Sequence, residues 1–305
     1  MFSMISKWAS FVKFSHTVFA LPFALASMVV AARDTRGWPG WQTFLLIIAA
    51  MICARTCAMA FNRIVDRKFD AMNPRTAGRH LPAGQISIAS ASTLCALSAA
   101  GLLASAWFLN LACFLLAPVA LFFGCFYSLT KRFTDYTHFW LGVALALAPI
   151  GAWIAVKGGA AFETWWPPTH SFALPLVLAV AVVFWLVGFD IIYSLQDYEF
   201  DRRAGLHSLV VAWGPRNALR AAALAHLVMW MLLFVFGILL ARFRIAYLVG
   251  MLIIGGSLAL EHFLARRRSM NWVQNAFFRL NALVSLVFLI VTVTEVVLPG
   301  FRLRQ

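Results

Sequence analysis

Eleven acidic residues are spread over this chain of 305, and six of them crowd into two short windows. The first reads Asn62-x3-Asp66-x3-Asp70, and the second reads Asp190-x2-Tyr193-x3-Asp197-x3-Asp201, with Glu199 between the last two aspartates. Steps of four and seven repeat one face of a helix, so each window predicts a stripe of three oxygen-bearing side chains, with Glu199 off the stripe and solvated. Two carboxylates about 6 Å apart repel by about 3 kcal/mol at an effective dielectric near 20. The next four-residue steps fall on Pro74 and Gly205, so neither stripe carries its own compensating cation. A hard divalent cation fits such a set, and Mg²⁺ takes one or two carboxylates plus water and substrate phosphates. One stripe alone reads equally well as a solvated, salt-bridged helix end. Two similar stripes favour metal, with Asn62, Asp66, Asp70, Asp190, Asp197 and Asp201 as the ligands.

Basic residues stand beside both windows. Arg75 and Arg79 follow the first in Asn73-Pro74-Arg75-Thr76-Ala77-Gly78-Arg79, and Lys131-Arg132 closes a later apolar run. Cations next to metal-binding carboxylates suit a phosphate-bearing ligand. Arg55 lies seven residues before Asn62 on the same helical face, inside an apolar run. That deep in a span it is predicted to face a cavity and anchor an anion, with a structural pair to Asp66 or to a helix-end carbonyl as the alternative.

The elements that position these residues must be membrane helices. The chain is 63% hydrophobic and 12% charged, against about 45–50% and about 25% in soluble domains. That excludes a soluble enzyme, and it excludes disorder. Nine runs are long enough to cross a bilayer, roughly 16–33, 41–60, 87–106, 110–129, 138–157, 171–193, 217–240, 245–265 and 276–298;. Connections 107–110 and 241–244 are short and predict helical hairpins. Connections 61–86 and 194–216 are long and charged, and both follow an even-numbered span. Their side holds 17 of the 25 Lys and Arg, which places it, with the N terminus, in the cytoplasm and the C terminus outside. The net charge of +14 is thus a lipid-facing asymmetry, and no nucleic-acid partner is expected. No cleavable signal peptide is evident. Cys53, Cys57, Cys95, Cys113 and Cys125 are scattered through apolar runs and read as small packing residues. The expected protein is all-α and polytopic, one domain over residues 1–305, in a bacterial cytoplasmic membrane.

The two acidic windows resemble the NxxxDxxxD and DxxYxxxDxxxD motifs of the UbiA superfamily of intramembrane aromatic prenyltransferases. Gly205-Leu206-His207-Ser208, Tyr127 with Lys131-Arg132-Phe133-Thr134, and the position of Arg55 fit the same family. The resemblance covers essentially the whole chain. It is greatest to the 4-hydroxybenzoate polyprenyltransferases, while Lys13-Phe14-Ser15-His16-Thr17-Val18-Phe19-Ala20-Leu21-Pro22-Phe23 is similar to a branch placed in the futalosine route to menaquinone, which is thought to prenylate a dihydroxynaphthoate. Two departures, His80-Leu81-Pro82 after Arg79 and Ser128 after Tyr127, bear on the acceptor and remove no metal ligand.

The resemblance implies about nine helices around a central cavity capped by cytoplasmic loops. It implies two Mg²⁺ ions, one per stripe, bridging a polyprenyl diphosphate, with Arg75, Arg79, Lys131 and Arg132 neutralising the remaining charge. Transfer would go to an aromatic hydroxy acid in quinone biosynthesis, 4-hydroxybenzoate or a similar acceptor. Tyr193 would hold a phosphate oxygen or the acceptor, Asp190 would assist the phenol proton, and Tyr127 would line the substrate site. Haem or chlorophyll precursors are alternative acceptors. A metal-cation transporter is the rival class, disfavoured because the acids sit at span ends and not at the midplane.

Overall fold

The apolar run that begins at Trp41 and the polar stretch that follows it form one continuous helix in the computed structural model, which describes residues 2–13, 20–162, 171–240, 245–266 and 277–298. This helix, α3 (Trp41–Met72, 32 residues), starts after Gly40 at φ 93° and carries the whole first acidic window on its last turns. Before it come α1 (Phe2–Phe11) and α2 (Leu21–Ala31); after it come α4 (Ile88–Leu109), α5 (Leu111–Thr130) and α6 (Thr137–Lys157). Then follow α7 (Ala173–Ser194), a short α8 (Tyr198–Arg203), α9 (Leu209–Leu239), α10 (Ile245–Arg266) and α11 (Phe278–Val297). No strand occurs among the described residues.

Local chemistry sets several of these boundaries. The Ser87 and Ser208 hydroxyls accept from the backbone N–H groups of Ser90 and Val211, capping α4 and α9;. Asn110 alone separates α4 from α5, and its side chain caps α5 by accepting from Cys113 N at 2.9 Å, which makes the expected hairpin. The other short connection, 241–244, lies outside the described residues. Gly214 breaks helical geometry at φ 76°, just before Pro215, so α9 kinks there;.

Among the described residues, eight helices are long and apolar enough to cross a membrane. The first of the nine expected spans is the exception. Its described helix, α2, has 11 residues, short of the roughly 20 a crossing needs. Residues 14–19, which include most of the quoted N-terminal segment, lie outside the described ones. Large apolar side chains face outward around the bundle, with Leu252 72% and Trp41 69% exposed. That surface suits lipid, not water, and the protein is an integral membrane protein.

Helix α3 packs on α4 and α5, α7 on α6 and α9, α2 on α6 and α11, and α10 on α11. The largest core cluster buries Trp153, Trp185, Phe236, Tyr247 and Phe288. Close approaches depend on glycine: a Cβ at Gly142 would lie 2.8 Å from the Val183 carbonyl oxygen, and one at Gly188 would lie 2.3 Å from the His226 ring. All five cysteines are free, but they are less scattered than the linear sequence suggests: Cys57 and Cys95 bring their sulfurs to 3.6 Å between α3 and α4.

Candidate active site

All thirteen residues singled out from the sequence line one cavity of about 710 Å³. From α3 come Arg55, Asn62, Asp66 and Asp70; from the loop after it come Arg75 and Arg79. Tyr127, Lys131 and Arg132 come from α5 and its end, and Asp190, Tyr193, Asp197 and Asp201 from α7, α8 and the turn between them. The two windows meet at one end of the bundle. Asn73 Nδ2 donates to Asp197 Oδ1 at 2.9 Å, joining residues 124 positions apart.

The second stripe is not one helical face. Helix α7 ends at Ser194, a 3₁₀ turn covers Leu195–Asp197, and α8 begins at Tyr198. A 3₁₀ turn winds three residues per turn, so the periodicity that would align Asp190 with Asp197 and Asp201 is lost. Long-range bonds to Asp197 hold the turn instead, and the three aspartates still reach the same cavity. Glu199 is exposed, as expected.

Compensating charge reaches the stripes from other elements. Arg132 Nη2 bonds Asp66 Oδ1 at 3.0 Å and also the Val65 carbonyl oxygen. Arg79 Nη1 bonds Asp70 Oδ1 at 2.6 Å. Arg75 grips Asp197 with two parallel bonds, Nε to Oδ1 at 2.8 Å and Nη2 to Oδ2 at 2.5 Å. Lys131 Nζ stands 3.7 Å from Asp201 Oδ2, an ion-pair distance without a hydrogen bond;. Burial works against the Lys131 ammonium, but Asp201, Asp190, Asp197 and Asp66 outweigh it and raise its pKa above the ordinary lysine value. The bidentate bond to Asp197 likewise overcomes burial and raises that of Arg75. The basic residues expected beside the stripes thus pair directly with their carboxylates in this structure.

Capacity for metal remains. Asp70 Oδ2 and Asp201 Oδ2 are buried and accept no hydrogen bond among the described residues. No three His, Cys, Asp or Glu residues converge as a metal cage among those residues. Such a donor set, hard oxygens in ones and twos with free lone pairs, fits an ion that completes its shell with substrate phosphate and water, as Mg²⁺ does. Asn62 here donates to Asp66 Oδ2 at 2.8 Å, which fixes that carboxylate.

Tyr193 lies between two cations. Its hydroxyl accepts from Arg75 Nη1 at 3.3 Å and Lys13 Nζ at 3.5 Å. Arg55 lines the cavity, and among the described residues it makes no ion pair and its buried Nε has no hydrogen-bond partner. The structural pair with Asp66 is not formed; that carboxylate is taken by Asn62 and Arg132.

Several participants were not picked out individually from the sequence. Arg63, 6% exposed, lies 3.9 Å from Asp70, although its place in a polar stretch read as a loop charge. Lys13, Asn73 and Thr76 line the cavity, yet in the sequence each stood only as part of a longer quoted segment, with no role of its own. His138 is wholly buried and binds Asp190 Oδ2 through Nδ1 at 2.7 Å. Its only trace in the sequence is a polar residue at the start of an apolar run.

The sequence profile described as the UbiA prenyltransferase family matches residues 20–283. The chain is 28% identical over 277 residues to a 4-hydroxybenzoate octaprenyltransferase of Francisella tularensis subsp. tularensis, covering 91% of this chain and 90% of that protein. It is 27% identical over 252 residues to the one of Tolumonas auensis, covering 83% and 84%. Among solved structures, the apo form of a UbiA homolog from Aeropyrum pernix K1 is similar with a TM-score of 0.77 at 30% identity, over 90% of this chain and 95% of that one. A UbiA homolog from Archaeoglobus fulgidus bound to GPP and Mg²⁺ shares the fold with a TM-score of 0.69 at 22% identity, over 95% and 99%. With the profile spanning most of the sequence, and both acidic windows facing one cavity among membrane helices, this chain belongs to the UbiA prenyltransferase family and is a membrane-embedded prenyltransferase.

Proposed function

We propose that this single-domain enzyme transfers a polyprenyl group from polyprenyl diphosphate to an aromatic hydroxy acid of the 4-hydroxybenzoate type, in the synthesis of a respiratory quinone. The observation that carries the reading is one cavity with carboxylates and cations at its mouth and an unpaired guanidinium, Arg55, farther in. The names of the relatives support the acceptor class.

Asn62, Asp66 and Asp70 on one wall, and Asp197 and Asp201 on the other, would hold two Mg²⁺ ions; Asp190, grouped with them by sequence, is bonded by His138 instead and serves the proton transfer. The Mg²⁺ ions, when bound, supply charge neutralisation for the departing diphosphate. Arg75, Arg79, Lys131 and Arg132 turn from carboxylate to phosphate oxygens and bind the remaining charge. The bond between the prenyl C1 and the diphosphate oxygen breaks, and the electron pair leaves with the diphosphate. Arg55 orients the acceptor through its carboxylate, so that the ring carbon ortho to the hydroxyl faces C1, while Tyr127 lines that position. Asp190 accepts the phenol proton as the new C–C bond forms. The proton on the substituted ring carbon then passes to the departed diphosphate and Asp190 returns its proton to the ring oxygen, so that the product is again an aromatic phenol. Tyr193, held by Arg75 and Lys13, positions a phosphate oxygen.

The isoprenoid tail gives a reason for the membrane setting, since each methylene prefers an apolar medium by about 0.8 kcal/mol. The cytoplasmic membrane, with both charged connections in the cytoplasm, follows from the basic asymmetry. The test is an acceptor screen with purified enzyme, Mg²⁺ and a polyprenyl diphosphate, comparing 4-hydroxybenzoate, dihydroxynaphthoates and haem. Prenylated 4-hydroxybenzoate is the expected product. Exclusive prenylation of a dihydroxynaphthoate would reassign the acceptor, and haem as the sole acceptor would overturn the aromatic-acid reading.

A further inference from the structure

Five aspartates line the cavity, and Asp190 is held differently from the rest. Asp66, Asp70, Asp197 and Asp201 each face a guanidinium or ammonium. Asp190 is bonded by an imidazole, with His138 Nδ1 2.7 Å from its Oδ2. An ionised carboxylate only accepts, so Nδ1 carries the donated hydrogen. The His138 side chain is 0% exposed and its Nε2 has no hydrogen-bond partner among the described residues. His138 is not part of the cavity wall, whereas its neighbour Thr137 is. It reaches Asp190 from behind.

The backbone around this contact is closely fixed. Thr137 Oγ1 and Thr130 Oγ1 are 2.7 Å apart, tying the start of α6 to the end of α5. One turn further along α6, Gly142 leaves no room for a Cβ against the backbone of Val183, so α6 and α7 touch there. Asp190 also differs in depth. It lies four residues before the end of α7, about 6 Å along the axis, whereas Asp197 closes the 3₁₀ turn beyond that end, where Arg75 and Asn73 hold it. Arg55 lies inward on α3 in the same way, seven residues before Asn62. Asp190 thus stands between the charged mouth and the unpaired guanidinium.

We infer that His138 is a positioning residue for the acceptor half of the reaction: by binding Oδ2 it aims the other oxygen of Asp190 at the junction of prenyl chain and acceptor. The inference rests on the prenyl-transfer reading above. Diphosphate capture belongs to the other four aspartates and does not need His138.

The experiment compares His138→Phe, which keeps a ring and removes the donor, with His138→Asn, whose amide nitrogen is bonded to Cγ as Nδ1 is and so restores an N–H at that place. Purified enzymes are assayed with geranyl diphosphate, Mg²⁺ and the acceptor that the wild type uses. His138→Phe is expected to lower kcat about 10- to 100-fold, the range for losing a supporting partner of a site residue. The KM for geranyl diphosphate and the Mg²⁺ concentration for half-maximal rate stay at wild-type values, and His138→Asn recovers most of the rate. An unchanged kcat in His138→Phe overturns the inference. So does a rise in diphosphate KM or Mg²⁺ requirement matching the loss of rate, or a folded Asn variant no better than Phe. Should His138→Phe fail to insert, His138→Leu, which also has no donor, takes its place with the same outcomes. Absence of any prenylated product from the wild type would instead refute the prenyl-transfer reading, so the two failures are distinguishable.

Discussion

Arg55→Leu should make the protein more stable and catalytically poor at the same time. Arg55 is the fifteenth of 32 residues in α3, near the middle of a span, and its buried Nε has no partner. An arginine at the centre of a membrane helix is unfavourable by about 2.5–3.5 kcal/mol on insertion scales. Arg55 faces a cavity and not lipid, so this range is an upper bound. Each kcal/mol relieved corresponds to about 2–4 °C in melting temperature for a chain of 150–250 residues, which sets the expectation at a rise of a few degrees in detergent. The function lost is larger. Two charge-assisted hydrogen bonds to an acceptor carboxylate are together worth about 3–6 kcal/mol, or roughly a hundred- to ten-thousandfold in acceptor KM at about 1.4 kcal/mol per decade. Arg55→Lys keeps the charge and one bond, so its acceptor KM should rise by roughly one to two decades while the KM for polyprenyl diphosphate stays constant. The assay is steady-state transfer with each substrate varied in turn, alongside a thermal melt. A lower melting temperature in Arg55→Leu, or equal effects on both substrates in Arg55→Lys, would refute the anchor and make Arg55 structural.

Asp66→Ala, Asp70→Ala, Asp190→Ala and Asp197→Ala should each lower turnover by orders of magnitude while the protein still inserts, and excess EDTA should abolish transfer; full activity in EDTA would remove the metal from the reading. Single cysteines in residues 61–86 or 194–216, in a cysteine-free background, should resist an impermeant thiol reagent applied outside intact cells, and labelling of either connection would reverse the topology. Gly188→Ala should reduce folded yield by disturbing α7 against α9, because the new Cβ meets the His226 ring at 2.3 Å and that ring bonds the Trp185 carbonyl oxygen; overpacking of this kind is unfavourable by about 1–3 kcal/mol. Gly151→Ala, with nothing within 4 Å of the added Cβ, is the matched control and should melt like wild type.

What could be read from the sequence was local. The first stripe survives intact because Asn62, Asp66 and Asp70 lie on one unbroken helix, where spacing dictates direction. The other stripe has similar spacing without the continuous helix, because tertiary bonds to Asp197 from Asn73 and Arg75 compete with helical continuation at Leu195. Those bonds span more than a hundred residues, and no periodicity reports them. Arg63 was hidden for a related reason: a charge in a polar stretch reads as solvated until the fold places it beside Asp70. Span counting worked where apolar runs were long: eight of the nine expected runs coincide with helices able to cross a membrane among the described residues, and the first, 16–33, lies partly outside those residues.

The ionic pairing also bears on how the site loads. Seven basic residues line the cavity, Lys13, Arg55, Arg63, Arg75, Arg79, Lys131 and Arg132, against five aspartates. The cavity therefore carries an excess of positive charge before any ligand enters, which favours anionic substrates. On the proposed reading, a prenyl diphosphate and an acceptor carboxylate bring about four negative charges together, and two divalent ions bring the same amount of positive charge. Loading both substrates with two ions leaves the net charge of the cavity unchanged. What changes is partners. Arg75, Arg79 and Arg132, each now within 3.0 Å of Asp197, Asp70 and Asp66, would exchange them for phosphate oxygens, and the freed carboxylates would be left to hold the ions. Neither side of that exchange leaves a buried charge unpaired, the condition under which buried ions are most unfavourable. Among the described residues no guanidinium or ammonium bonds Asp190, so it would take no part in that exchange; its bond to His138 could persist through loading, which suits a group whose task begins after the diphosphate is in place.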